Sequence, residues 1–321
     1  GRLDIAAAVK TTVTVEPSSI SFGAIGASLA PRTVSVTNLG SSQATLQLKA
    51  VARDASATTV TVTPASLTLA AGQSQTVTLN LGGSLPAPGS YEGYLEISGG
   101  PVTLRAPWLY LASDGVPASL IPLQGAGFVT ETSSAVNLAV LAIDQYGVPV
   151  TNAQIRFAPA DSVYRATPAT DPLGIAEAYM MAPATAGEAA FRADLLVNAA
   201  RADFSGHVRK PPQIAKNGVV DSASFQTGAG FAPGSYVTIF GDNLAEALTS
   251  ATTASLPISL AGVSVSFDDA ARGVHAPGRL VLVAPGQVNL QVPLELAGST
   301  SAVMKVTLAN SASRSVRQDN V

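Results

Sequence analysis

Residues Leu138–Phe157 read LAVLAIDQYGVPVTNAQIRF. An apolar run, Leu138–Ile143, and a run in which apolar and polar residues alternate, Val148–Phe157, flank a four-residue interruption, Asp144 to Gly147. Period two is the spacing of a strand with one buried face. Asp-x-x-Gly is a turn signal, because the Asp side chain caps its own backbone and Gly supplies a positive φ. Further along, ATDPLGIAEAYM (Ala169–Met180) repeats the device at Asp171 to Gly174. Short alternating runs separated by Gly, Pro and Asp continue in both directions, and the pattern predicts an all-β chain.

Composition agrees. Hydrophobic residues make up 47% of the 321, much of it Ala and Val, while aromatics reach only 5% and charged residues 12%. That profile suits sandwiches of small side chains and argues against disorder. There is no Cys, which excludes disulfides and thiolate metal sites. Net charge is −3. Lys and Arg number six against five Asp and Glu in residues 1–113, six against nine in 114–212, and six against seven in 213–321. No third is strongly basic, so nucleic acid is not an expected partner. The longest apolar runs, such as Leu138–Ile143, fall far short of the ~20 residues that span a bilayer, so no membrane span is expected.

Two seams divide the chain. SDGVP (Ser113–Pro117) consists of turn formers, and RKPPQIAK (Arg209–Lys216) contains Pro211-Pro212, which cannot join a ladder. The expected organisation is a helix over 1–10 and three sandwiches at 11–113, 114–210 and 213–321, each of roughly 100 residues, the usual size. Within the first piece, VEPSSISFGAIG (Val15–Gly26) is echoed by VTPASLTLAAG (Val62–Gly72). Neither half can close a core alone, so the echo is read as two similar edges of one sandwich. The piece closes with a hairpin, SYEGYLEISGGPVTLRAPWLYL, whose Val102, Leu104, Ala106, Trp108 and Tyr110 share one face.

These stretches resemble known extracellular modules. The PSSISFG strand of the first piece resembles the immunoglobulin/fibronectin-III-like domains of bacterial secreted proteins. In the second, the order D-x-x-G-x-P-V-x-x-A-x-I-x-F followed by T-D-x-x-G-x-A is similar to the bacterial Ig-like group 1 domain of invasin- and intimin-type proteins. The third, with NGVVDSASF, APGSYVTIFGDNLA, LPISLAGVSVSF and APGQVNLQVP, is similar to a C-terminal module of secreted bacterial proteins related to the IPT/TIG fold. There DDAARGVHAPGRL replaces the short link usual in that module, which leaves the loop around His275 open.

The opening GRLDIAAAVK (Gly1–Lys10) places Leu3, Ala6, Ala7 and Lys10 at helical spacing, yet so short a helix is marginal without a partner. It resembles the last helix of subtilisin-like serine protease catalytic domains. That resemblance implies an upstream protease domain as partner and these modules as its non-catalytic accessory region.

No catalytic residue is expected in the chain itself. His207 and His275 stand in no base motif, and Ser301, in GSTSAVMK, runs into a strand pattern instead of a nucleophile helix. Asp268, Asp269 and His275 form the one cluster of mixed metal ligands, a weak candidate against the reading of a solvated loop. Asp144 and Asp171 lack a calcium-loop pattern. The two GAGF stretches, at Gly125 and Gly228, do not extend to a phosphate-binding fingerprint, and no cofactor is expected. Trp108 and Tyr110 are expected in the core and not on a sugar platform. Three functions stay open: a spacer or binding region that positions a secreted subtilisin-like protease on an extracellular protein, polysaccharide or cell surface; an adhesin or surface stalk without an enzyme; and a carbohydrate-binding array.

Overall fold

The computed structural model describes residues 5–25, 30–227, 230–309 and 314–319. A helix, α1 (Ile5–Lys10), is followed only by strands and two short 3-10 turns, at Ala160–Ser162 and Leu294–Leu296. Gly1–Asp4 of the expected helix, Gly26 of the echo and Gly228 of the second GAGF lie outside the described residues.

The first nine strands are β1 (Val13–Glu16), β2 (Ile20–Ile25), β3 (Arg32–Asn38), β4 (Ala44–Ala52), β5 (Thr58–Thr63), β6 (Ser66–Leu69), β7 (Ser74–Gly83), β8 (Gly89–Ser98) and β9 (Leu104–Ala112). A sheet ordered β1-β3-β7-β5 faces one ordered β2-β9-β8-β4-β6. Their inward residues, among them Val36, Leu46, Leu79, Leu95 and Tyr110, form one core. The sequence echo now has a structural meaning. Each copy supplies one edge strand to each sheet, β1 then β2 and β5 then β6, and crosses between the sheets at Pro17 and Pro64. Gly93 has no room for a side chain: a Cβ there would sit 2.1 Å from Trp108 Cζ2 and 2.2 Å from Val51 O.

Eight strands follow: β10 (Ser119–Gln124), β11 (Phe128–Glu131), β12 (Ala135–Ile143), β13 (Ile155–Ala158), β14 (Val163–Ala166), β15 (Ile175–Met181), β16 (Gly187–Leu195) and β17 (Arg201–Arg209). The sheets are β10-β12-β15-β14 and β11-β17-β16-β13, closed over Leu138, Phe157, Met180, Phe191 and Phe204. The Pro- and Ala-rich stretch after Phe157 contains the edge strand β14, which carries the chain from one sheet to the other.

The last ten are β18 (Gln213–Asp221), β19 (Tyr236–Asp242), β20 (Thr249–Ser250), β21 (Ser259–Leu260), β22 (Val263–Asp269), β23 (Val274–Pro277), β24 (Arg279–Ala284), β25 (Gln287–Gln291), β26 (Ser301–Leu308) and β27 (Arg314–Asp319). One sheet runs β18-β19-β25-β24-β20, and the other β21-β22-β26-β27 with β23 also on β22. Ile239, Phe267, Leu290 and Met304 sit between them. His275 therefore lies on a strand, opposite Asp268, and not in a loop. The chain is all-β: three tandem immunoglobulin-like β-sandwiches preceded by a short helix.

Candidate functional site

Two buried, hydrogen-bonded charged groups lie where one sandwich passes to the next. At the first passage, Asp144 closes the turn after β12 and is 2% exposed. Its Oδ1 accepts from the backbone N–H of Tyr146 at 2.9 Å and of Val148 at 2.8 Å, while Gly147 takes φ +83. Its Oδ2 faces the connecting segment and accepts from the Ser113 hydroxyl at 2.7 Å and the Asp114 N–H at 3.2 Å. Asp114 in turn accepts from Gln145 Nε2 at 2.7 Å. Burial alone would raise the Asp144 carboxyl. The Ser113 hydroxyl and the N–H groups of Val148, Tyr146 and Asp114 outweigh it and hold the group below the ordinary carboxylate range. One carboxylate thus forms the turn and clasps the linker. Asp171 shows what the same sequence device does alone: it accepts from Leu173 and Ile175 N–H and clasps nothing else.

At the second passage β17 ends on Arg209 and β18 starts at Gln213, with Pro211-Pro212 between them. The Arg209 side chain is only 10% exposed. Its guanidinium reaches into the third sandwich and donates to the Glu246 carboxylate and to the carbonyl of Ala309, both distant in sequence. Asn243 Nδ2 donates to Pro211 O at 3.4 Å. Beside this passage lies a hollow of about 430 Å³ lined by Lys210, Pro211, Gln213, Asp242 and Asn243. Nothing in the local sequence marks Arg209 or Glu246, because their partners are distant along the chain.

The residues singled out from sequence are placed as follows. Adjacent strand residues point to opposite faces, and Asp268 and Asp269 do so at the end of β22. Asp268 accepts from His275 Nδ1 at 2.9 Å, and Lys305 Nζ lies 3.6 Å from its other oxygen. The His275 hydrogen bond chiefly, with Lys305, keeps the Asp268 carboxyl below its usual range against the effect of burial. Asp269 turns the other way, to the Ser299 hydroxyl and to the N–H groups of Ala271 and Arg272, and the Ser299 bond is the main cause of its lowered pKa. The pair therefore does not converge on one point. Among the described residues no three His, Asp or Glu side chains gather as a metal site.

Ser301 opens β26, whose alternate residues Ala302, Met304, Val306 and Leu308 are buried. It is separated from His275 by β22, which pairs with β23 on one side and β26 on the other. That is two strand spacings, about 10 Å, beyond proton-transfer reach. His207 lies in the second sandwich beside Glu188, at 3.0 Å. Trp108 and Tyr110, 3% and 1% exposed, stack in the first core with centroids 5.8 Å apart, so they form no sugar platform. No described helix is long and apolar enough to cross a membrane.

No family model matches the sequence, and no curated protein matches it. Similar solved structures include invasin, a bacterial integrin-binding protein, at 13% identity over 97% of this chain and 59% of that one, with a TM-score of 0.34. A C-terminal fragment of intimin in complex with the intimin-binding domain of its translocated receptor is 11% identical over 64% of each chain, with a TM-score of 0.36. Titin domains I67–I69 are 12% identical over 96% of this chain and 98% of that one, with a TM-score of 0.26.

Proposed function

We propose that the chain is a non-catalytic spacer of a bacterial protein that acts outside the cell, holding whatever precedes it at a set distance from a target surface or polymer. The observation that carries this reading is the bracing of both passages. A tether needs only slack between its sandwiches, whereas here a buried carboxylate and a nearly buried guanidinium hold the connecting segments. In this reading residues 11–113, 114–210 and 213–321 are separate folding units, and the cluster of Asp268, Asp269 and His275 is a surface ion-pair group without a metal.

The finer part of the proposal is that the preceding domain is a subtilisin-like serine protease. It rests on the GRLDI resemblance and on α1 itself. Ile5 and Val9, one helical turn apart, are 67% and 82% exposed, an apolar stripe suited to packing against another domain. The reading frame upstream of Gly1 tests this. A nucleophile motif GTSMAxP with an HGT motif before it is expected, and their absence leaves the surface-stalk reading. A second test uses the purified chain: it should cleave no peptide bond. Cleavage abolished by replacing one hydroxyl or one imidazole would overturn the non-catalytic assignment.

A further inference from the structure

Each sheet of a sandwich ends in strands whose outer backbone groups face solvent, and such edges normally carry a device that stops them pairing with another chain: shortness, a charge, a proline or a bulge. Nearly every terminal strand here has one. β1, β6, β11, β13 and β14 are four residues long, β1 includes Glu16, β13 includes Arg156 and β14 includes Arg165. β20 and β21 have two residues each. β2, β10 and β18 are interrupted by bulges, and β10 also contains Pro122. The sequence of β27, RSVRQD, carries three charged residues.

β5 is the exception among the described strands. It runs for six residues, TTVTVT, with no charge, proline or bulge. Which of its backbone groups are free follows from register. Asn38 N donates to Gln73 O, so the odd-numbered residues of β7 turn towards β3 and the even-numbered ones towards β5. Asn80 and Gly82 therefore bond Thr61 and Thr59, and Val60 and Val62 point their N–H and C=O outward. Thr58 points outward too, but its N–H donates to Ser56 Oγ and its carbonyl accepts from Tyr110 Oη. What is left at the edge is two donors and two acceptors, on Val60 and Val62.

We propose that this edge is a self-association site that pairs β5 with β5 of a second copy, antiparallel, about a two-fold axis at Thr61. The pattern is self-complementary in that register and in no neighbouring one. Val60 lies opposite the partner copy's Val62 and exchanges both hydrogen bonds with it, so all four free groups are satisfied. Val60 and Val62 already pack against the first core, and the pairing continues that apolar row. Thr59 meets Thr63 and Thr61 meets itself on the solvent side. The two four-stranded sheets merge into one of eight. A six-residue edge is about 20 Å long, so the contact falls below the ~800 Å² per partner of a stable complex, and the dimer is a weak, concentration-dependent one.

The chain has no Cys, which makes the register directly testable. Residues facing each other at a non-hydrogen-bonded position have Cα atoms about 4.5 Å apart, within disulfide range. Under mild oxidation Thr61→Cys is expected to cross-link to itself, Thr59→Cys alone is not, and a mixture of Thr59→Cys with Thr63→Cys is. Sedimentation equilibrium of the unmodified chain should show the mass rising from 32.3 kDa towards twice that value with concentration. Thr61→Lys, on an exposed position, should abolish the rise while leaving the melting curve unchanged. A mass independent of concentration, or Thr59→Cys cross-linking alone as readily as Thr61→Cys, overturns the proposal.

Discussion

Replacing Asp144 by Asn separates its two tasks. The side chain keeps its shape, and the amide oxygen can still accept from Tyr146 and Val148. The other oxygen becomes an NH₂ that faces the Asp114 N–H, donor against donor, and the Ser113 hydroxyl must rotate to accept from it. Hydrogen bonds to a charged acceptor contribute about 1.5–3 kcal/mol each, and one of the two linker bonds can be recovered in reversed form, so the expected loss is about 2 kcal/mol. For a unit of 60–100 residues that corresponds to a fall in Tm of roughly 8–16 °C. Scanning calorimetry of the intact chain should show one transition moving by that amount and the others staying in place.

The pH dependence supplies a second reading of the same change. The folded-state pKa of Asp144 is lowered, so its contribution is fully present above the unfolded-state value of about 3.9 and is lost as pH falls through the folded-state value. The Asn variant has no such dependence. The gap between the two proteins should therefore be widest near neutral pH and shrink in acid. A variant within about 0.5 kcal/mol of the parent at pH 7, or a gap that does not narrow in acid, would refute the assignment of Asp144 as a clasp.

Gly93→Ala is expected to destabilise the first sandwich by about 3 kcal/mol, because the added methyl meets Trp108 and the Val51 carbonyl on a strand that cannot retreat; urea unfolding followed by the fluorescence of Trp108, the single tryptophan, reads it directly. Arg209→Ala removes the guanidinium between the second and third sandwiches and should cost about 2 kcal/mol, since Glu246 can return to water. It should also speed proteolysis at Lys210, and equal cleavage rates would count against a braced passage. Adding Ca²⁺ or Zn²⁺ should leave the Tm of the third sandwich unchanged, because Asp268 and Asp269 point to opposite faces; a rise with either ion would restore the metal reading.

The parts of the fold that could be read from sequence are those set by local rules. Alternation marked β9, β13 and β26, Asp-x-x-Gly marked the turns at Asp144 and Asp171, and Pro211-Pro212 marked the break between β17 and β18. Trp108 and Tyr110 fell on the buried face because period two fixes which residues share a side. What escaped depends on contacts distant in sequence. The doubled role of Asp144 needs the linker thirty residues earlier, and Arg209 needs Glu246 and Ala309. β14 was hidden in a stretch rich in Pro and Ala, and it pairs along an edge of β15 that only the sheet order reveals. His275 was read as a loop residue because a Gly- and Asp-rich connection says loop locally, while pairing with β22 makes it a strand. The bare edge of β5 could not be seen in TTVTVT alone, since only the sheet order shows that nothing lies beyond it.

Small-angle scattering on the intact chain, extrapolated to zero concentration, tests the spacer reading most directly. Three sandwiches of about 100 residues, each about 35 Å across and set end to end, give a radius of gyration of about 31 Å, against about 20 Å for one compact body of the same length. A value near the first is expected, and a value near the second would contradict it.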